Sequence, residues 1–79
     1  MILRRAQKEL ADLPVIIYTR IKAAILTLAA DPRPKHASKL VSREGWRMRV
    51  GDYRVIYEID DVGKMVTILH VGHRRDVYR

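Results

Sequence analysis

Apolar positions in the first part of the chain recur at helical spacing. Across Arg4–Leu13 they fall at Ala6, Leu10 and Leu13 with charged residues between, the stripe and solvated face of an amphipathic helix. Pro14 is tolerated where a helix begins but not in its interior, so it opens a second helix. Val15-Ile16-Ile17-Tyr18-Thr19 has the composition of a strand. However, Ile17, Ile21, Ala24, Ile25 and Leu28 hold a helical period over about four turns, and the period outweighs the propensity. Asp31-Pro32-Arg33-Pro34 ends that helix, which predicts two antiparallel helices joined at a tight corner.

From Gly45 the period changes to two. Trp46, Met48 and Val50 alternate with Arg47 and Arg49, and Gly51-Asp52 supplies a two-residue hairpin turn before Tyr53-Arg54-Val55-Ile56-Tyr57-Glu58-Ile59. Such a turn sets Val50 opposite Tyr53, Arg49 opposite Arg54, Met48 opposite Val55 and Arg47 opposite Ile56. One face of the hairpin is then Trp46, Met48, Val50, Tyr53, Val55 and Tyr57, a core face, and the other gathers Arg47, Arg49 and Arg54. Residues 60–64 form the next turn, and Met65 to Val71 is apolar at nearly every position, the pattern of a strand covered on both faces. The fold expected is α+β: two N-terminal antiparallel helices packed on one face of a three-stranded antiparallel sheet, in a single domain over residues 1–79.

The 79 residues contain no cysteine, so neither a disulfide framework nor a thiolate nucleophile is available, and a reducing, cytoplasmic setting is expected. Apolar stretches of a few residues fall far short of the roughly 20 needed to cross a bilayer, and no export signal is expected. Sixteen Lys and Arg against nine Asp and Glu leave a net charge of +7. Its distribution is uneven: residues 33–54 carry +5 and residues 73–79 carry +2, whereas residues 55–72 carry −2. A polyanion is the first partner to consider, and a membrane is not.

Two like charges directly across a ladder destabilise it, so the Arg49–Arg54 pair implies compensation from outside the chain. A basic, solvated sheet face would explain any three cations. Arginine at all three positions points instead to phosphate, which its planar, permanently charged fork matches. The C-terminal run Gly72-His73-Arg74-Arg75-Asp76-Val77-Tyr78-Arg79 adds two groups that can move protons, His73 and Tyr78. Other chemistries fail. The glycines form no phosphate loop; His36, His70 and His73 lack ligand spacing with carboxylates, so no metal or other cofactor is expected; and Ser38 and Ser42 have no triad partners. His70, inside the apolar strand, reads as a buried, hydrogen-bonded histidine, and Asp60-Asp61 as turn chemistry.

Four segments together resemble the RelE/ParE superfamily of toxins from toxin–antitoxin pairs: Arg4-Arg5-Ala6-Gln7-Lys8-Glu9-Leu10 with Leu13-Pro14; Ala30-Asp31-Pro32-Arg33-Pro34; Arg49-Val50-Gly51-Asp52-Tyr53-Arg54-Val55-Ile56-Tyr57-Glu58-Ile59; and Val71-Gly72-His73-Arg74-Arg75-Asp76-Val77-Tyr78. The resemblance spans essentially the whole chain. It implies a microbial RNase-like fold and, on the RelE branch, metal-independent cleavage of mRNA on the ribosome, with a RelB-like antitoxin as partner. By position it implies catalytic roles for Arg54, Arg74 and Tyr78, with His73 as a second proton-handling group. It implies RNA binding by Arg47 and Arg49, to which Arg75, Lys39 and Arg43 are added. Where RelE chains carry lysines on the first hairpin strand, this chain has arginines, which hold their protons too tightly to act as bases. The strand that opens family chains is expected to be absent or a stub, because only Met1-Ile2-Leu3 precedes the first helix, and the long C-terminal helix of some members is missing. The alternative within the superfamily is a ParE-like poison of DNA gyrase. A basic nucleic-acid-binding module without activity is a third reading.

Overall fold

The computed structural model describes residues 1–73. They form two helices and four strands: α1 (Arg4–Ala11), α2 (Val15–Thr27), β1 (Ala37–Lys39), β2 (Trp46–Val50), β3 (Tyr53–Asp60) and β4 (Met65–His73). The strands make one antiparallel sheet in the order β1-β2-β3-β4. Both helices lie on one of its faces. There Ala6, Leu10, Ile21 and Leu28 pack against Met48, Val55, Tyr57, Ile68 and Val71, all buried. Pro14 sits immediately before α2 in extended conformation, where its missing N–H costs no helical hydrogen bond. The expected stripe of α2 faces inward, and Val15, Ile16 and Leu26 remain exposed on its other side.

The hairpin register matches the expectation pair for pair, from Arg47 opposite Ile56 to Val50 opposite Tyr53, and continues to Trp46 opposite Tyr57. Gly51 has φ +59° while Asp52 stays at negative φ, the pattern of a turn with glycine in its first central position, whose twist suits the flanking strands.

Three features depart from the sequence reading. The sheet has four strands among the described residues rather than three, because Ala37–Lys39 pairs with β2. The N-terminal stub is present as a single parallel bridge between Ile2 and Ile68, with Leu3 N–H donating to Ile68 O at 3.0 Å and Ile68 N–H to Met1 O at 2.8 Å. Finally, β4 is not covered evenly on both faces. A bulge shifts its register so that Ile56 pairs with His70 but Tyr57 pairs with Ile68. Leu69 is the extra residue, which lets both Ile68 and Val71 point into the core three positions apart.

Trp46, expected in the core, is half-buried, with the Arg33 guanidinium 5.4 Å from its ring centroid. The same arginine makes a two-pronged ion pair with Asp61, at 3.0 and 2.8 Å. Tyr57 donates its hydroxyl hydrogen bond to Pro32 O at 2.7 Å. Together these contacts tie the 31–34 corner to the sheet. Asp60 serves the β3–β4 turn, accepting the Gly63 N–H at 3.0 Å.

Candidate nucleic-acid interface

The face of the sheet away from the helices carries the arginines in adjoining rows. Arg49 stands opposite Arg54, and Arg54 in turn opposite Gly72. The next row runs Ser38, Arg47, Ile56, His70 across all four strands. Arg49 is exposed, Arg47 and Arg54 are half-buried, and Ile56 in the second row is only 1% exposed although it lies outside the helix-side core. A half-buried guanidinium keeps its charge while losing part of its water, which strengthens its hold on a phosphate.

The remaining expected site residues are distributed differently. Lys39 pairs with Trp46 and so belongs to the helix-side parity of the sheet, and Arg43 lies in the exposed bend between β1 and β2. His73 pairs with Tyr53, also of helix-side parity, with the two rings edge to face at 5.5 Å and 81°. The register therefore does not bring His73 to the arginine face. Arg74, Arg75 and Tyr78 lie outside the described residues.

By register His70 has the parity of the arginine rows, but its ring lies against α1. Its side chain is 12% exposed, and Nδ1 lies 2.5 Å from Glu9 Oε2. The other carboxylate oxygen of Glu9 accepts the Val71 N–H at 2.9 Å, and Arg5 approaches His70 Nε2 at 3.5 Å. The expectation of a buried, hydrogen-bonded histidine holds only in part: His70 is half-buried, its Nε2 meets Arg5, and Nδ1, though close to Glu9, makes no hydrogen bond. Alternation from Val71 already gives His70 the parity of the arginine rows; what it misses is Ile68, which the bulge returns to the core. The signal available in the sequence was the spacing of Ile68 and Val71 around a histidine.

Hydrogen bonds from Arg33 hold the Asp61 carboxyl below the usual carboxylate range and raise Arg33 in turn. Burial pushes the Tyr57 phenol above its ordinary value. These shifts belong to the latch at the 31–34 corner rather than to the arginine rows.

A family model for the ParE toxin of the type II toxin–antitoxin system parDE matches residues 1–78. The chain belongs to this toxin family. Among similar proteins, toxin RelG of Mycobacterium tuberculosis is 38% identical, over 94% of this chain and 87% of its own length. The RelE–RelB complex of Pyrococcus horikoshii contains a chain that superimposes on this toxin with a TM-score of 0.83 at 30% identity, covering 96% of this chain and 93% of that one. The isolated RelE toxin of E. coli gives 0.78 at 22% identity, over 98% and 86%, a likeness of fold. The toxin thus has the RelE fold expected of it, with the opening strand reduced to a stub.

Proposed function

We propose that this toxin is a ribosome-dependent mRNA endoribonuclease of the RelE type that inhibits translation in the cytoplasm and is held inactive by a RelB-like antitoxin. The observation that carries the reading is the register of the hairpin, which sets Arg47, Arg49 and Arg54 on one face in adjoining rows. The similarity to RelG and to the toxin of an archaeal RelE–RelB complex supports it.

In the proposed reaction the ribose 2′-oxygen attacks the adjacent phosphorus as the bond to the 5′-oxygen breaks. The products are a 2′,3′-cyclic phosphate and a 5′-hydroxyl, so one proton leaves the 2′-hydroxyl and one reaches the departing oxygen. Arg54 and Arg74 face the charge that gathers on the phosphoryl oxygens, a task worth about 3–4 kcal/mol for each well-placed donor. Arg47 and Arg49 hold the RNA backbone, with Arg75, Lys39 and Arg43 as outlying phosphate contacts. Tyr78 handles protons, and arginines around a phenol favour its anion.

A ParE-like gyrase poison is the second reading, favoured by the family model that matches residues 1–78. It requires no phosphoryl-transfer site. Mapping 5′ ends on translated mRNA after brief induction, beside a gyrase supercoiling assay, separates the two. New 5′-hydroxyl ends within codons are expected, with supercoiling untouched, and the opposite pair of results selects the gyrase reading.

A further inference from the structure

We propose that the outer face of α2 is a docking surface for an amphipathic helix of a partner protein, one whose apolar stripe is bordered by acidic residues. The inference stands apart from the ribonuclease reading and uses none of its residues.

It starts from a helix that is apolar on two opposite sides. Ile17, Ile21, Ala24, Ile25 and Leu28 belong to the core. Yet Val15, Ile16 and Leu26, on the far side, are 79%, 74% and 66% exposed, and no described residue covers them. A single exposed leucine needs no explanation, but a helix that is apolar all round is ordinarily buried all round. The exposed set is also ordered. Ile16, Thr19, Ala23 and Leu26 are all exposed and follow one another at intervals of three, four and three residues, the a and d positions of a helix-to-helix seam. Thr19 joins the seam as an apolar group, because its hydroxyl donates back to Val15 O at 2.9 Å and leaves the methyl group to face a neighbour. Thr27 beside it does the same toward Ala24 O at 2.6 Å. Small groups at Thr19 and Ala23 let a second helix approach closely, between the bulkier ends at Ile16 and Leu26.

Charge selects the occupant. In the same heptad Arg20 and Lys22 take the e and g positions, one on each border of the seam and both exposed. Lys22 Nζ lies 5.8 Å from the centroid of the Tyr18 ring, which keeps the ammonium at its border. Between Asp12 and Asp31 the chain has no acidic residue. A second copy of this chain would therefore set cation against cation along both borders, whether the helices ran parallel or antiparallel, and border charges of one sign oppose pairing. A helix with Glu or Asp at its own e and g positions meets both cations. An anionic bilayer surface is the other partner open to an apolar helix flanked by cations, but it calls for Trp, Phe or Leu along the apolar side, and the centre of this seam is Thr19 and Ala23.

The test uses the folded parental chain, the double variant Arg20→Glu/Lys22→Glu, and two synthetic helical peptides of about three heptads. The peptides share leucine and alanine at a and d and differ in carrying Glu or Lys at every e and g. Binding is read by amide chemical-shift titration. The Glu peptide is expected to bind the parental chain and shift the resonances of residues 15–27, and the Lys peptide to bind about tenfold more weakly, as reversal of a few exposed border pairs allows. In the double variant the order should invert, which attraction of an acidic peptide to the arginine rows cannot mimic. Ala23→Arg, an exposed position given a good helix former, should keep the parental melt and lose both peptides. Absence of binding by either peptide, an order that does not invert, or shifts confined to β2 and β3 would overturn the proposal. A parental dimer that Ala23→Arg dissolves in sedimentation would overturn it in favour of a second copy, and capture on phosphatidylglycerol vesicles that Ala23→Arg abolishes, without peptide binding, in favour of a bilayer. None of these readouts involves RNA, so a chain that leaves mRNA intact removes the ribonuclease reading and leaves this test standing.

Discussion

In the proposed mechanism Arg54 meets opposite demands from folding and from function. It faces Arg49 across the β2–β3 ladder, where like charges cost stability, yet that crowding concentrates positive charge where a phosphodiester would lie. Arg54→Ala should therefore abolish mRNA cleavage while leaving the chain folded, within about 1 kcal/mol of parental stability, because cross-strand charge pairs are worth no more than that. Melts beside a cleavage assay check it, and an unfolded variant would show Arg54 holding the sheet rather than the RNA. Tyr78→Phe should slow single-turnover cleavage by about 10²-fold, as loss of a proton-handling group does. His73→Gln should cost less, since His73 meets Tyr53 edge to face at helix-side parity. Comparing the two single-turnover rates at one pH decides between them.

At the scale of elements, the latch between the 31–34 corner and the strands joins α2 to the sheet and carries a pH dependence of its own. Asp61 is held low by Arg33. It binds protons less readily when folded, so its contribution is present above the unfolded carboxylate value, about 4, and is lost as pH falls through the lower folded value. Tyr57 is pushed up by burial, so its contribution is present below about 10 and is lost as pH rises through the higher folded value. Thermal melts across pH should show both limbs. Asp61→Asn should flatten the acid limb and Tyr57→Phe the alkaline one, and Tyr57→Phe should cost about 0.5–1.5 kcal/mol at neutrality by deleting its bond to Pro32 O. Unchanged limbs in these variants would detach the latch from the pH response.

Across the whole molecule, charge and size shape what the toxin does. Residues 33–54 carry +5, and the arginine rows of β2 and β3 lie within that segment. A domain of this size buries only roughly 60% of the surface its unfolded chain exposes, so its margin of stability is thin and a partner that binds only the folded form adds to it directly. Expression of the chain alone should arrest bacterial growth, and co-expression of an antitoxin whose acidic segment covers the arginine face should relieve it. Saturation with that antitoxin at about 100 times its Kd should raise stability by about 2.7 kcal/mol, read as a shift in the melt. Growth unaffected by the folded, intact chain would count against the toxin mechanism.

Local periodicity determined a good deal of this architecture without help. The stripes at Ala6 and Leu10 and at Ile17, Ile21 and Leu28 require inward-facing helices, and two-residue alternation around Gly51-Asp52 requires the hairpin. The arginine face follows from the same alternation, because a fixed turn length fixes every cross-strand pair. Non-local pairing decided the rest. Ala37–Lys39 is too short to show a period, and it becomes a strand because the edge of β2 offers backbone groups that need partners. The bulge at Leu69 is invisible to alternation, since it exists only relative to the register of β3. It lets Ile68 and Val71, three positions apart, both enter the core. The contact between Glu9 and His70 joins residues far apart in the chain, and only the packing of α1 against β4 brings them together.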